Sequence, residues 1–158
     1  MTSLSAMTRR SRTIALGLAL MAALALAGCS VSVSIGATAS PAQTPGTIVF
    51  GTSLDTTTWA VSNPAVTFKT TDMVGWAARL TESANSSALT LTLASVDSSG
   101  TETVVDTATI DVTNKSDDVF GHAADNTLGS IGAGTYTMRY TRPSDGKVLA
   151  EGTVTLTA

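Results

Sequence analysis

The chain predicts an all-β fold, an antiparallel two-sheet sandwich of seven or eight strands, on three observations. From Thr47 onward, short apolar segments alternate with turn residues at the spacing of a sandwich or barrel. Within several of these segments apolar and polar residues alternate with a period of two, which sends successive side chains to opposite faces of a strand. Threonine is abundant and favours strands, while no heptad, long amphipathic helical period or fixed-length repeat occurs. A small up-and-down β-barrel is the rival architecture.

Ahead of that domain the sequence reads as a helical signal peptide over residues 1–28. Arg9, Arg10 and Arg12 form a positive start, and Ile14 to Ala27 an uncharged apolar stretch ending in small residues. As a helix, Thr13 to Ala27 rises about 22 Å, short of the roughly 30 Å of a hydrocarbon core, so a permanent spanning anchor is not expected. Leu26-Ala27-Gly28-Cys29 closes the stretch and contains the only cysteine of 158 residues. It resembles the lipobox of bacterial exported lipoproteins. The resemblance implies that Cys29 is lipidated and becomes the first residue of the mature chain, anchored to a membrane outside the cytoplasm. Two or three acyl chains hold such a protein stably on a bilayer. Ala25-x-Ala27 fits a generic secretory cleavage instead, which would release the product freely.

Residues 29–46 are small and uncharged, with Pro41 and Pro45 among them. They read as a flexible tether with a reach of roughly 20–25 Å, although the alternation of Val31, Val33 and Ile35 admits a short strand. The remaining domain, 47–158, has ordinary single-domain size and no disulfide to support its core. The three leader arginines belong to the nine Lys and Arg of the chain. Six therefore remain after cleavage against twelve Asp and Glu, a formal charge of −6. That sign argues against nucleic acid and anionic lipid surfaces as partners.

The strands follow in order. Thr47–Gly51 and Thr57–Val61 open the domain. Val66 and Phe68 mark the next segment, then Val74, Trp76, Ala78 and Leu80, then Leu89, Leu91 and Leu93, then Ala108, Ile110 and Val112, each set predicting one buried face. Asp97-Ser98-Ser99-Gly100 has the composition of a hairpin loop between Leu89–Val96 and Thr103–Val112. Tyr136, Met138 and Tyr140 share one parity. After the turn Arg142-Pro143-Ser144-Asp145-Gly146-Lys147, residues Val148, Ala150, Gly152, Val154 and Leu156 again keep one parity. These last two segments predict a hairpin with Lys147, Glu151, Thr153 and Thr155 toward solvent.

Three stretches carry a second resemblance. Gly132-Ala133-Gly134-Thr135-Tyr136 is similar to the start of a late strand in bacterial immunoglobulin-like domains. Phe68-Lys69-x-x-Asp72-x-Val74 and Leu149-Ala150-x-Gly152 are similar to their early and last strands. Covering roughly residues 65–157, the resemblance implies an immunoglobulin-like sandwich and names no activity. The Cys-Trp-Cys pin of antibody domains is absent, with Trp76 as the core tryptophan.

Chemistry is sparse. The stretch from Asn114 to Asn126, read as a loop, collects Asp117, Asp118, Asp125, Asn126 and the chain's single histidine, His122. Such oxygen-rich loops bind calcium, which takes six to eight oxygens, but the EF-hand spacing is missing. Turn chemistry alone explains Asn, Asp and Gly there. His122 beside an aspartate and Ser116 or Thr127 sketches a hydrolase, yet catalysis needs geometry, and no nucleophile elbow, HExxH, P-loop or dinucleotide fingerprint occurs. Trp59, among threonines and next to the Asn63-Pro64 turn, is the ring placed to stack on a ligand such as a sugar. The expectation is therefore a noncatalytic, membrane-anchored module at the cell envelope. It has no cofactor and binds a protein or envelope polymer, with a small-ligand or calcium-binding lipoprotein as the alternative and a hydrolase more distant.

Overall fold

The computed structural model describes residues 44–158. The leader, Cys29 and the tether up to residue 43 lie outside the described residues. Ten strands and one 3-10 turn are formed: β1 (Thr47–Gly51), β2 (Ser53–Asp55), β3 (Ala60–Ser62), β4 (Thr67–Lys69), β5 (Val74–Arg79), β6 (Ala88–Val96), β7 (Glu102–Asp111), β8 (Val119–Asp125), the turn Leu128–Ile131, β9 (Gly134–Arg142) and β10 (Lys147–Thr157). The all-β class expected from the alternation is what the structure has.

Eight strands share one hydrogen-bonded path, β7-β6-β9-β10-β1-β5-β8, with β4 paired to β10. The path curls, and its two arms pack face to face. One arm is β7-β6-β9-β10-β4; the other is β1-β5-β8. They meet along the backbone where Thr47 of β1 bridges Glu151 of β10 in parallel, while β1 runs antiparallel to β5 from Thr47↔Arg79 to Gly51↔Gly75. The terminal strands β7 and β8 do not pair with each other, so the sheet stays open and is not a closed barrel. Between β1 and β4 the chain crosses from one arm to the other, making the β2–β3 hairpin on the way.

The core lies between the arms. Ile48, Phe50, Phe68, Trp76, Leu89, Leu93, Tyr136, Met138, Tyr140, Val154 and Leu156 are all buried in one cluster. Trp76 Nε1 donates to the Tyr140 hydroxyl at 3.2 Å, tying β5 to β9 across it. The predicted face Val74, Trp76, Ala78 and Leu80 is buried as expected, but Gly75 and Ala77 are buried too. A strand inside the second arm is thus covered on both sides, its outer face by the β2–β3 hairpin.

Both predicted hairpins form. Asp97 Oδ1 accepts from the Ser99 and Thr101 amides, each at 2.8 Å, and Gly100 adopts φ 82°, the left-handed region glycine enters without a side-chain clash. In the second hairpin, β9 and β10 pair with a bulge between Val148 and Ala150. The extra residue resets the alternation. Leu149 and Ala150 are both buried and Val148 is 43% exposed, so the single parity read for Val148 to Leu156 holds only from Ala150 onward. Gly152 lies where β10 passes β1, and a Cβ there would stand 2.7 Å from the Ile48 carbonyl oxygen.

Other expectations are corrected. Val66 is exposed and precedes β4, where its carbonyl accepts from the Thr155 amide. Residues 56–59 form a turn, and the strand predicted from Thr57 begins at Ala60. The Asn114–Asn126 stretch is a loop only in its first part, since Val119–Asp125 is the edge strand β8, paired with β5. Of the face Ala108, Ile110 and Val112, only Val112 is buried. Of the predicted tether, the described residues 44–46 are held to the domain: the Gly46 amide donates to the Arg79 carbonyl at 2.7 Å.

Candidate functional site

β7 leaves its apolar side uncovered because the arms part there. Between β7-β6-β9 on one side and β5-β8 on the other lies an apolar cleft of about 310 Å³. Leu91 and Leu93 of β6, Ala108 and Ile110 of β7, and Met138 and Tyr140 of β9 form one wall. Trp76, Phe120, Gly121 and His122 form the other, with Trp59, Thr127 and Leu128 closing the ends and Asp106 at the side. Both tryptophans of the chain therefore border one cavity, within the size range of small-molecule sites.

Trp59 reaches this position through a strained backbone. Asp55 Oδ1 accepts from the Thr57 and Thr58 amides and turns the hairpin tip. These hydrogen bonds, that from Thr57 the largest, hold the Asp55 carboxyl below its ordinary value. Trp59 then takes φ 58°, where a bulky residue is a true outlier costing on the order of 1–3 kcal/mol. Its half-buried ring lies over β8 at Gly121, where a Cβ would come within 3.2 Å of the Trp59 ring and 2.6 Å of the Trp76 carbonyl oxygen. The absent side chain is what lets the hairpin seat on the strand.

On the far side of Trp59 lies a second recess of about 280 Å³, lined by Asp117, Asp118 and Val119. His122 stacks on Trp76 with ring centroids 4.6 Å apart and exchanges a 2.8 Å hydrogen bond with Asp125. That bond, with the Thr127 amide donating to the other carboxylate oxygen, keeps the Asp125 carboxyl below its usual range.

The residues singled out in the sequence thus separate. Asp117 and Asp118 stand just before β8, whereas Asp125 stands at its end and Asn126 follows, exposed. Among the described residues no three of His, Cys, Asp and Glu gather where they would hold a metal ion. His122 and Asp125 form a dyad, but among the described residues no hydroxyl hydrogen-bonds to His122 to complete a nucleophile. Cys29 lies outside the described residues.

Sequence reasoning missed Phe120, Met138 and Tyr140 as site residues. Their alternation marks them as inward-facing, and inward-facing residues read alike whether they meet a packed core or a cavity. The only local signal is Gly121 within a strand, a mark of close approach by another segment.

Tyr140 carries the cleft's most distinctive chemistry. It is 2% exposed and accepts from Trp76, and among the described residues its own hydroxyl proton has no acceptor. Burial pushes its phenol up from the ordinary value, so the proton stays in place.

No protein-family model matches the chain, and no curated protein matches it. Among solved structures it is similar to an immunoglobulin-like protein from Pseudomonas aeruginosa, at 15% identity and a TM-score of 0.43, over 71% of this chain and 93% of that one. That likeness concerns shape and says nothing of chemistry.

Proposed function

We propose that the chain is a noncatalytic binding module, an immunoglobulin-like domain held outside the cytoplasm by lipid on Cys29 and recognising its partner at the open side of the sheet. The observation that carries this reading is the aromatic-walled cleft of about 310 Å³ between the two terminal strands. A small apolar cavity with a few placed polar groups is the usual form of a recognition site. The Leu26-Ala27-Gly28-Cys29 motif supports the anchor, and the tether supplies the reach for a membrane-held domain to meet a ligand above the headgroups.

A second reading, a protein partner at the β7 edge, has its own observation. β7 is ten residues long, exposed along nearly all its length, and presents Val104 at 60% and Val105 at 46% exposure. Such an edge is a template for an added strand.

Photocrosslinking in the protein's own cells tests both. Ile110→p-benzoylphenylalanine places the crosslinker at the cleft, and Thr153→p-benzoylphenylalanine places it on β10 as a control. An adduct from position 110, absent from 153 and lost when Cys29→Ala is added, is the expected result, and its mass tells a small ligand from a protein. No adduct at 110, or equal adducts with and without Cys29, overturns the reading.

A further inference from the structure

We propose that the cleft takes a small, uncharged, two-ring molecule carrying one oxygen acceptor, which accepts a hydrogen bond from the Tyr140 hydroxyl. The proposal rests on the binding-module reading and adds to it the chemistry of the ligand.

Size comes first. An apolar cavity of about 150 Å³ accommodates one benzene ring, so a cleft of about 310 Å³ accommodates roughly two. The walls suit flat rings, because Trp59, Trp76 and Phe120 offer aromatic surface that stacks on or meets the edge of another ring.

Polarity comes second. Buried donors in folded proteins nearly always have an acceptor, and one that lacks it calls for an explanation. Tyr140 is 2% exposed, its oxygen is already occupied by Trp76 Nε1, and its proton has no acceptor among the described residues. A ligand carbonyl, ether or hydroxyl oxygen that enters the cleft Tyr140 lines and reaches that hydroxyl completes the pair.

Charge comes third. No lysine or arginine lines the cleft, Asp106 borders it, and Asp117 and Asp118 line the recess that shares the Trp59 wall. The cleft's one basic side chain, His122, is already taken by Asp125, so a carboxylate or phosphate entering there meets like charge with no free cation to compensate, and anionic ligands are disfavoured.

The test titrates the full-length chain labelled with 5-fluorotryptophan, which reports from Trp59 and Trp76 alone, in nonionic detergent. Each probe's free concentration is fixed by dialysis against detergent without protein. Three probes separate the three arguments: 1-tetralone has two fused rings and a carbonyl acceptor, tetralin lacks the acceptor, and 2-naphthoate is an anion. The expected result is fluorine shifts with all but naphthoate, and tetralone binding about two- to tenfold tighter than tetralin, the range of one neutral hydrogen bond. In Tyr140→Phe that advantage disappears, while tetralin, which never used the hydroxyl, still binds.

Equal affinity for tetralone and tetralin in the unmodified chain overturns the role of Tyr140 without any variant being needed. Naphthoate binding as tightly as tetralone overturns the charge argument. Failure of all three probes, with the crosslinked adduct at position 110 still formed in cells, overturns this ligand class and leaves the binding module standing. Probe binding without any adduct in cells overturns the module and leaves the cavity chemistry intact.

Discussion

The two sides of the curled sheet solve the same packing problem differently. Where β10 meets β1 and β4, the arms are joined by backbone and close on Ile48, Phe50, Phe68, Val154 and Leu156, all buried, with Gly152 omitting a side chain so that the strands fit. Where β7 and β8 end the path, the arms part around a cleft, and the apolar residues of β7 stay partly or wholly uncovered. Identical alternation thus produces dense core on one side and vacancy on the other. What differs is whether a strand on the opposite arm lies across it.

The sharpest way to break that contrast is to truncate a side chain on each side. Leu156→Ala, at the closed side, is expected to lower unfolding free energy by about 2–5 kcal/mol, because a fully buried leucine leaves a cavity its neighbours cannot refill. Ile110→Ala, which only widens an existing cleft, is expected to cost less than about 1 kcal/mol. Urea unfolding of both variants measures the difference, and equal losses would mean that the open side is packed as tightly as the closed one.

A smaller effect tests how the cleft is roofed. Gly121→Ala puts a methyl group against the Trp76 carbonyl and the Leu54 side chain. Overpacking of this kind is expected to cost about 1–3 kcal/mol. Displacement of the β2–β3 hairpin should also move the Trp59 fluorine resonance of the 5-fluorotryptophan-labelled chain, assigned with a Trp59→Phe variant. A variant whose Trp59 resonance is unmoved would show that the hairpin does not depend on the glycine.

The smallest effect belongs to the outer surface. Arg139 binds Glu102 and Glu151, while Arg142 and Lys147 converge on Glu82, with Arg142 also on Asp145. The Lys147 and Arg142 hydrogen bonds hold Glu82 below its ordinary value, as Arg139 does for Glu102 and Arg142 for Asp145. Carboxylates depressed in the folded state contribute stability above their unfolded values near pH 4, and that contribution is lost as pH falls through the lowered ones. Melting temperature should therefore decline below about pH 5. The decline should be slight and weaken in high salt, because the carboxylates are well exposed even where the Arg142 side chain they meet is buried, and such pairs contribute little. A melting temperature that rises with acid would contradict these pairings.

Local signals were legible on both sides. β1 on the closed side and the 97–100 hairpin loop on the open one follow from alternation and turn chemistry alone, as does most of the β9–β10 hairpin. The bulge at Val148–Ala150 escaped, because an inserted residue preserves composition while shifting parity. β8 escaped because Gly121, His122 and Asp125 carry turn-like composition, and its strand conformation comes from pairing with β5, a partner distant in sequence. The cleft escaped for a related reason. A cavity is a property of two arms at once, and the Tyr140 proton without an acceptor becomes visible only when every neighbour of that hydroxyl is known.

The passage of β1 between β5 and β10 also has a mechanical meaning. With the N-terminal anchor proposed above, a pull would enter the domain through Thr44–Gly46 and reach β1 first, which has five pairs with β5 and a bridge to β10. Strands loaded lengthwise break their hydrogen bonds together, not one after another, so β1 would act as a clamp between the anchor and the cleft.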